Sequence, residues 1–298
     1  MTFDARKGSP APTSGRQNML FAGATFAIVC GAFFTVLSLP RKGEAPPRAE
    51  ASHSETIAAA VPMPRLPGEA AEVYFVALGR IDTDAQSALS RRIGKAGKLD
   101  DHDLADLVLE HASDVLKAHA GELAMADTRH LDDLLDLARD RLRAASRKRS
   151  KWCEASRYAD LRDIEFSDPE QLQREMSEFE APMRDFAFEA LTGLMAAVED
   201  ARVNPVTRGA LTRADQAALQ GMVMSIMADP DVMPLIISLK TDADARQALK
   251  GVNACDLAAT AVIAAKTLPQ DTKGRLLAEA MKNVEKNGLG AFATGVGF

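Results

Sequence analysis

The chain has 298 residues, 47% of them hydrophobic and only 5% aromatic, with a formal charge of −6. That length suffices for a sizeable core, and an acidic balance argues against general nucleic-acid binding. No Gly-x-Ser-x-Gly elbow, Walker A loop or Ser-x-x-Lys motif is present, so the enzyme classes that depend on them have no signature here.

Residues 1–17 are polar and rich in Gly, Pro and Ser without an apolar period, which reads as a disordered tail. Residues 18–39 (NMLFAGATFAIVCGAFFTVLSL) carry no charge. As a helix they would span about 33 Å, enough for a hydrocarbon core of about 30 Å. The run is too long for the apolar region of a cleavable signal and ends in Leu-Pro-Arg-Lys rather than a small-residue cleavage site, so a transmembrane anchor is expected. Gly23, Ala27, Gly31 and Thr35 recur at i+4 and form a small-residue face through which two anchors could pair as a homodimer. Arg6, Lys7 and Arg16 before the run match Arg41, Lys42 and Arg48 after it, so flanking charge does not choose an orientation.

Residues 40–69 are rich in Pro and Ala and read as a spacer. The tail carries +2 and residues 40–51 carry +1, which leaves −9 for everything after residue 51. Residues 70–288 then read as one all-α soluble domain, with a Gly-rich tail at 289–298.

Within the domain, Val73 to Leu78 (VYFVAL) is the one stretch that looks like a strand. Thr83 or Asp84 is expected to cap a helix through Ile93, followed by helices over Asp100 to Lys117 and Asp127 to Arg147. Ser167-Asp168-Pro169-Glu170 is a capping box opening the longest helix, with Met176, Phe179, Met183, Phe186, Leu194 and Val198 on its stripe. Thr212 to Asp215 offers another cap, and Asp229-Pro230 ends that helix. Asp242 to Leu268 and Pro269 to Lys286 complete the set. One strand makes no sheet, so the expected fold is all-α.

Chemistry-bearing residues are sparse. His102, His111, His119 and His130 are separated by 9, 8 and 11 residues, and no zinc-helix spacing occurs. His102, Asp106, Glu110 and Asp114 share a face but read as a solvated acidic stripe. Met222, Met224, Met227 and Met233 suit core filling better than copper. Gly288 to Ala293 loosely resembles a dinucleotide fingerprint, yet it follows a helix rather than a strand. No catalytic residue, cofactor or metal site is therefore assigned.

Two features remain. Cys30 falls in the apolar run, leaving Cys153 and Cys255 as an even pair in the soluble part, which suits a disulfide in an oxidising compartment. It would tie a helix beginning near Trp152 to one around Asp256. Arg139, Arg141, Arg143, Arg147, Lys148, Arg149 and Lys151 form a basic cluster, either a patch for an anionic partner or cations complementing a helix C-terminus. No aromatic residue interleaves within it, so base stacking is unsupported. Together these point to a single-pass inner-membrane protein with a periplasmic helical domain, acting as an interaction or scaffold protein on another protein. The alternatives are an anchored carboxylate-dependent hydrolase, or a cytosol-facing domain that binds acidic partners through the basic helix end.

Overall fold

The computed structural model describes residues 62–158, 181–230, 232 and 249–287, and every regular element there is helical. The apolar run 18–39 with Gly23, Ala27, Gly31 and Thr35, the tails, most of the spacer and the Ser167–Glu170 cap lie outside the described residues. Among the described residues no helix is long and apolar enough to cross a membrane.

Residues 73–78, expected to be extended, are instead the middle of helix α1 (Glu69–Ile81). The apolar residues of this segment that decide the matter are those at helical spacing: Ala71, Tyr74, Phe75, Leu78 and Ile81 are buried, whereas Val73 and Val76 are each 49% exposed. A strand would have placed Tyr74 and Phe75 on opposite faces, and the core takes both. Two β-branched residues that face solvent do not outweigh that packing.

Helix α2 (Thr83–Ala96) is capped one residue earlier than expected: the Asp82 carboxylate accepts from Ala85 N at 2.8 Å. Helix α3 (Asp101–Ala118) is capped by Asp100, and the four-residue α4 (Ala120–Leu123) follows. Helix α5 (Thr128–Arg147) is capped by Asp127, and two short 3₁₀ turns (Lys151–Cys153 and Ala155–Tyr158) follow it. Helix α6 (Ala181–Val203) is the longest described. Helix α7 (Arg213–Met227) opens on a reciprocal capping box between Thr212 and Asp215. Helices α8 (Ala254–Lys266) and α9 (Gln270–Asn287) close the described chain.

The single helix expected over Asp242 to Leu268 is broken. Gly251 adopts φ +83°, a left-handed conformation that side chains resist, and Asn253 then caps α8 by accepting from Cys255 N and Asp256 N.

Two apolar cores result. The larger gathers α1, α2, α3, α4, α6 and the C-terminal half of α9. At its centre α1 lies along α6, with the Tyr74 and Phe188 rings 6.3 Å apart. Each Leu or Phe wholly enclosed there contributes about 2 kcal/mol. The smaller core joins α5, α7, α8 and the start of α9, built on Leu131, Leu135, Met222, Ile226, Val262 and Leu276. Leu277 of α9 touches both cores. Helix α5 also meets α6, where a Cβ on Gly193 would lie 3.2 Å from Leu134 Cδ2, so glycine permits the close approach. The end of the expected spacer is part of this body: Leu66 is buried, and Arg65 donates to the Leu99 carbonyl and to Asp101.

Candidate functional site

Most polar groups inside the fold are consumed by one another. Asp215 is 1% exposed and accepts from Thr212 N and Oγ1, from Thr272 Oγ1 at 2.7 Å, and from Arg275 through Nε and Nη2 at 2.8 and 2.9 Å. Those bonds, Arg275's above all, hold its carboxyl far below the ordinary range. The pair joins the start of α7 to α9.

On α5 the carboxylates recur every four residues. Asp132 accepts from Lys273 at 2.5 Å and from Gln270 at 2.7 Å, and Asp136 pairs with Lys266 and Arg139. This stripe fastens α5 to the α8–α9 corner. Asp200 of α6 accepts from His130 at 3.0 Å and pairs with Arg129.

At the corner between α1 and α2, His119 lies 3.2 Å from Asp82 and 3.3 Å from Glu122, while Arg202 donates to the Ile81 carbonyl at 2.6 Å. The Asp82 hydrogen bond pushes the imidazole pKa up and the Asp82 carboxyl down. Four segments of the larger core meet in this knot. Sequence reasoning missed it, because its members lie up to 121 residues apart and follow no spacing rule. Among the described residues no group of three His, Cys, Asp or Glu side chains is arranged to hold a metal.

The end of α5 is different. The helix terminates in a Schellman motif: Ser150 N bonds the Ala145 carbonyl at 3.1 Å and Arg149 N bonds Ser146 O at 2.9 Å. Arg149 occupies the left-handed position at φ +51°, where glycine is the usual residue. The chain then makes one 3₁₀ turn, not the helix expected near Trp152, and reaches Cys153.

Cys153 and Cys255 form the expected disulfide, with Cα atoms 5.0 Å apart across a sequence separation of 102. Both sulfurs are buried beside Ala145. Asn253 completes the clasp: while it caps α8, its Nδ2 donates to Ser146 Oγ at 2.9 Å, and Ala155 N bonds the Val252 carbonyl at 3.0 Å. A loop after a helix is thereby fixed to the start of another.

The seven cations expected as a patch divide at this point. Arg139 is spent on Asp136 and Asp140, and Arg141 pairs with Glu189 of α6. Arg143, Arg147, Lys148, Arg149 and Lys151 are exposed and form no ion pair among the described residues. The sequence reading that cations here merely complement the helix C-terminus accounts for some of them. Arg149 and Lys151 lie beyond the helix and extend the charge past its last carbonyl. What the arrangement can do chemically is present a rigid group of positive charge on an otherwise acidic body.

No protein-family model, no curated protein and no solved structure matches this chain.

Proposed function

We propose that this is a membrane-anchored helical interaction protein. Residues 18–39 hold it in the bilayer, its domain stands on the oxidising side, and the cationic end of α5 is its contact surface. One observation carries the reading. Arg139 and Arg141 are taken up by Asp136, Asp140 and Glu189, whereas Arg143, Arg147, Lys148, Arg149 and Lys151, gathered beside a disulfide clasp, are exposed and form no ion pair among the described residues. Holding a charged segment rigid lowers the ordering cost of binding, which is what a recognition surface requires.

The disulfide supports the oxidising side of the membrane, since such bonds persist there and are rare in a reducing cytosol. The uncharged run of 22 residues supports the anchor. A carboxylate-dependent hydrolase has less behind it. A catalytic acid needs a pKa raised toward neutrality; Asp82 and Asp215 are held low by His119 and Arg275, and Asp114, whose carboxyl burial pushes up, stands exposed on α3.

A reporter enzyme active only outside the cytosol, fused after residue 298, tests the placement. Activity in cells carrying the full-length fusion is expected, along with its loss when residues 18–39 are deleted. A full-length fusion that is expressed but inactive would overturn the periplasmic reading.

A further inference from the structure

We infer that the cationic end of α5 docks on anionic phospholipid headgroups of the membrane that carries the chain, an inference that rests on the anchored reading above. The chemistry comes first. Arg143, Arg147, Lys148, Arg149 and Lys151 offer only charge and hydrogen-bond donors. The exposed large hydrophobic residues of the described chain, such as Met63, Val73, Val76, Val203, Met224 and Ile263, all lie elsewhere. A protein partner is typically gripped through aromatic or Arg anchors that fill desolvated pockets, whereas these five cations all stand exposed. With Trp152 half-buried beside Lys151, this end sets an amphipathic ring next to a row of cations, which suits the headgroup level of an anionic membrane.

Tether length points the same way. Residues 40–61 separate the apolar run from the first described residue, and 22 residues span at most about 75 Å. The bilayer is therefore the anion source at the highest effective concentration, whatever else is in solution. Charge asymmetry sets the pose. Five exposed cations within nine residues form the densest such group among the described residues, so that end turns toward the headgroups. The left-handed turn at Arg149 and the disulfide two residues past Lys151 keep the cations together without further ordering.

Trp152, the only tryptophan in the chain, adjoins Lys151 and reports on this end alone. The full-length protein is reconstituted into vesicles bearing a dansyl-labelled headgroup, either phosphatidylcholine alone or enriched in phosphatidylglycerol. Energy transfer from Trp152 to dansyl is expected to be strong only on the phosphatidylglycerol vesicles. It should fade as salt is raised from about 0.1 M to about 1 M and the Debye length shrinks from about 10 to about 3 Å.

The triple change Arg147→Gln, Lys148→Gln and Arg149→Gln should lower the docked-to-free ratio about 100-fold, at about fivefold per cation. Arg91→Gln, Lys95→Gln and Lys98→Gln, an equal loss of exposed charge on and just after α2, should leave it unchanged. Equal transfer on the two vesicle types would overturn the inference and leave an acidic protein as the partner of this end. Equal losses in the two triple variants would overturn it as a site. Carbonate extraction followed by flotation judges the anchor separately: a chain that leaves the vesicles has no anchor, while the transfer measured beforehand still decides the docking.

Discussion

His111 and His119 lie at positions eight apart on and just after α3, and their surroundings drive them in opposite directions. His111 is 7% exposed with Nδ1 unpartnered among the described residues; burial, aided by the Arg92 cation, pushes its pKa down to about 4. Between pH 6.5 and 4 the unfolded chain therefore binds a proton that the folded one refuses. Stability falls by about 3 kcal/mol over that interval on this account. Chemical denaturation of a His111→Gln variant should lose that much less than wild type between the two pH values. His119 behaves in reverse. Its folded pKa is raised, chiefly by the hydrogen bond to Asp82, so its contribution is complete below about 6.5 and lost as pH rises through the folded value. A His119→Gln variant should lack that alkaline decline. Arg149 is the other single residue with a clear cost. Its left-handed backbone carries about 1 kcal/mol of strain relative to glycine, so Arg149→Gly should stabilise the fold by about that amount in urea titrations.

Among the elements, the clasp between the end of α5 and the start of α8 matters most. In the chain-entropy account a disulfide closing a loop of about 100 residues contributes about 4 to 5 kcal/mol. Cys153→Ala with Cys255→Ala should lower the denaturation free energy by about that much. Amide exchange should rise first over residues 145–155, whose ladder ends there. The helices themselves were largely legible. Asp100, Asp127 and Thr212 announce their helices because a cap is a local event, a side chain bonding an amide two or three residues on. Leu131 and Leu135 of α5, four residues apart on one face, are legible for the same reason of short range. Val73 to Leu78 misled because a six-residue apolar run fits either period, and only α6 lying against Tyr74 and Phe75 decides between them. The break at Gly251 and Asn253 was written in the sequence as a left-handed residue followed by a cap, but the apolar stripe on either side masked it. The ionic knots at His119 and Asp215 had no local signal, since their partners are brought together by the packing alone. Of the candidate surface, the cysteine pair and the cations were visible. Which cations would be spent internally was not, because Glu189 lies 48 residues from Arg141.

For the molecule as a whole, two cores are held together by α5 and α9, and five exposed cations gather at the end of α5. The proposed function displays this helical body, locked by its disulfide, on the oxidising face of a membrane. Maleimide mass-tagging of the full-length protein in its native membranes, denatured with and without prior reduction, tests that claim most directly. The expected result is that Cys153 and Cys255 take up tags only after reduction, shown by comparison with a Cys30→Ser chain in which they are the sole cysteines. Two tags on that chain without reductant would contradict the locked clasp and the oxidising placement together.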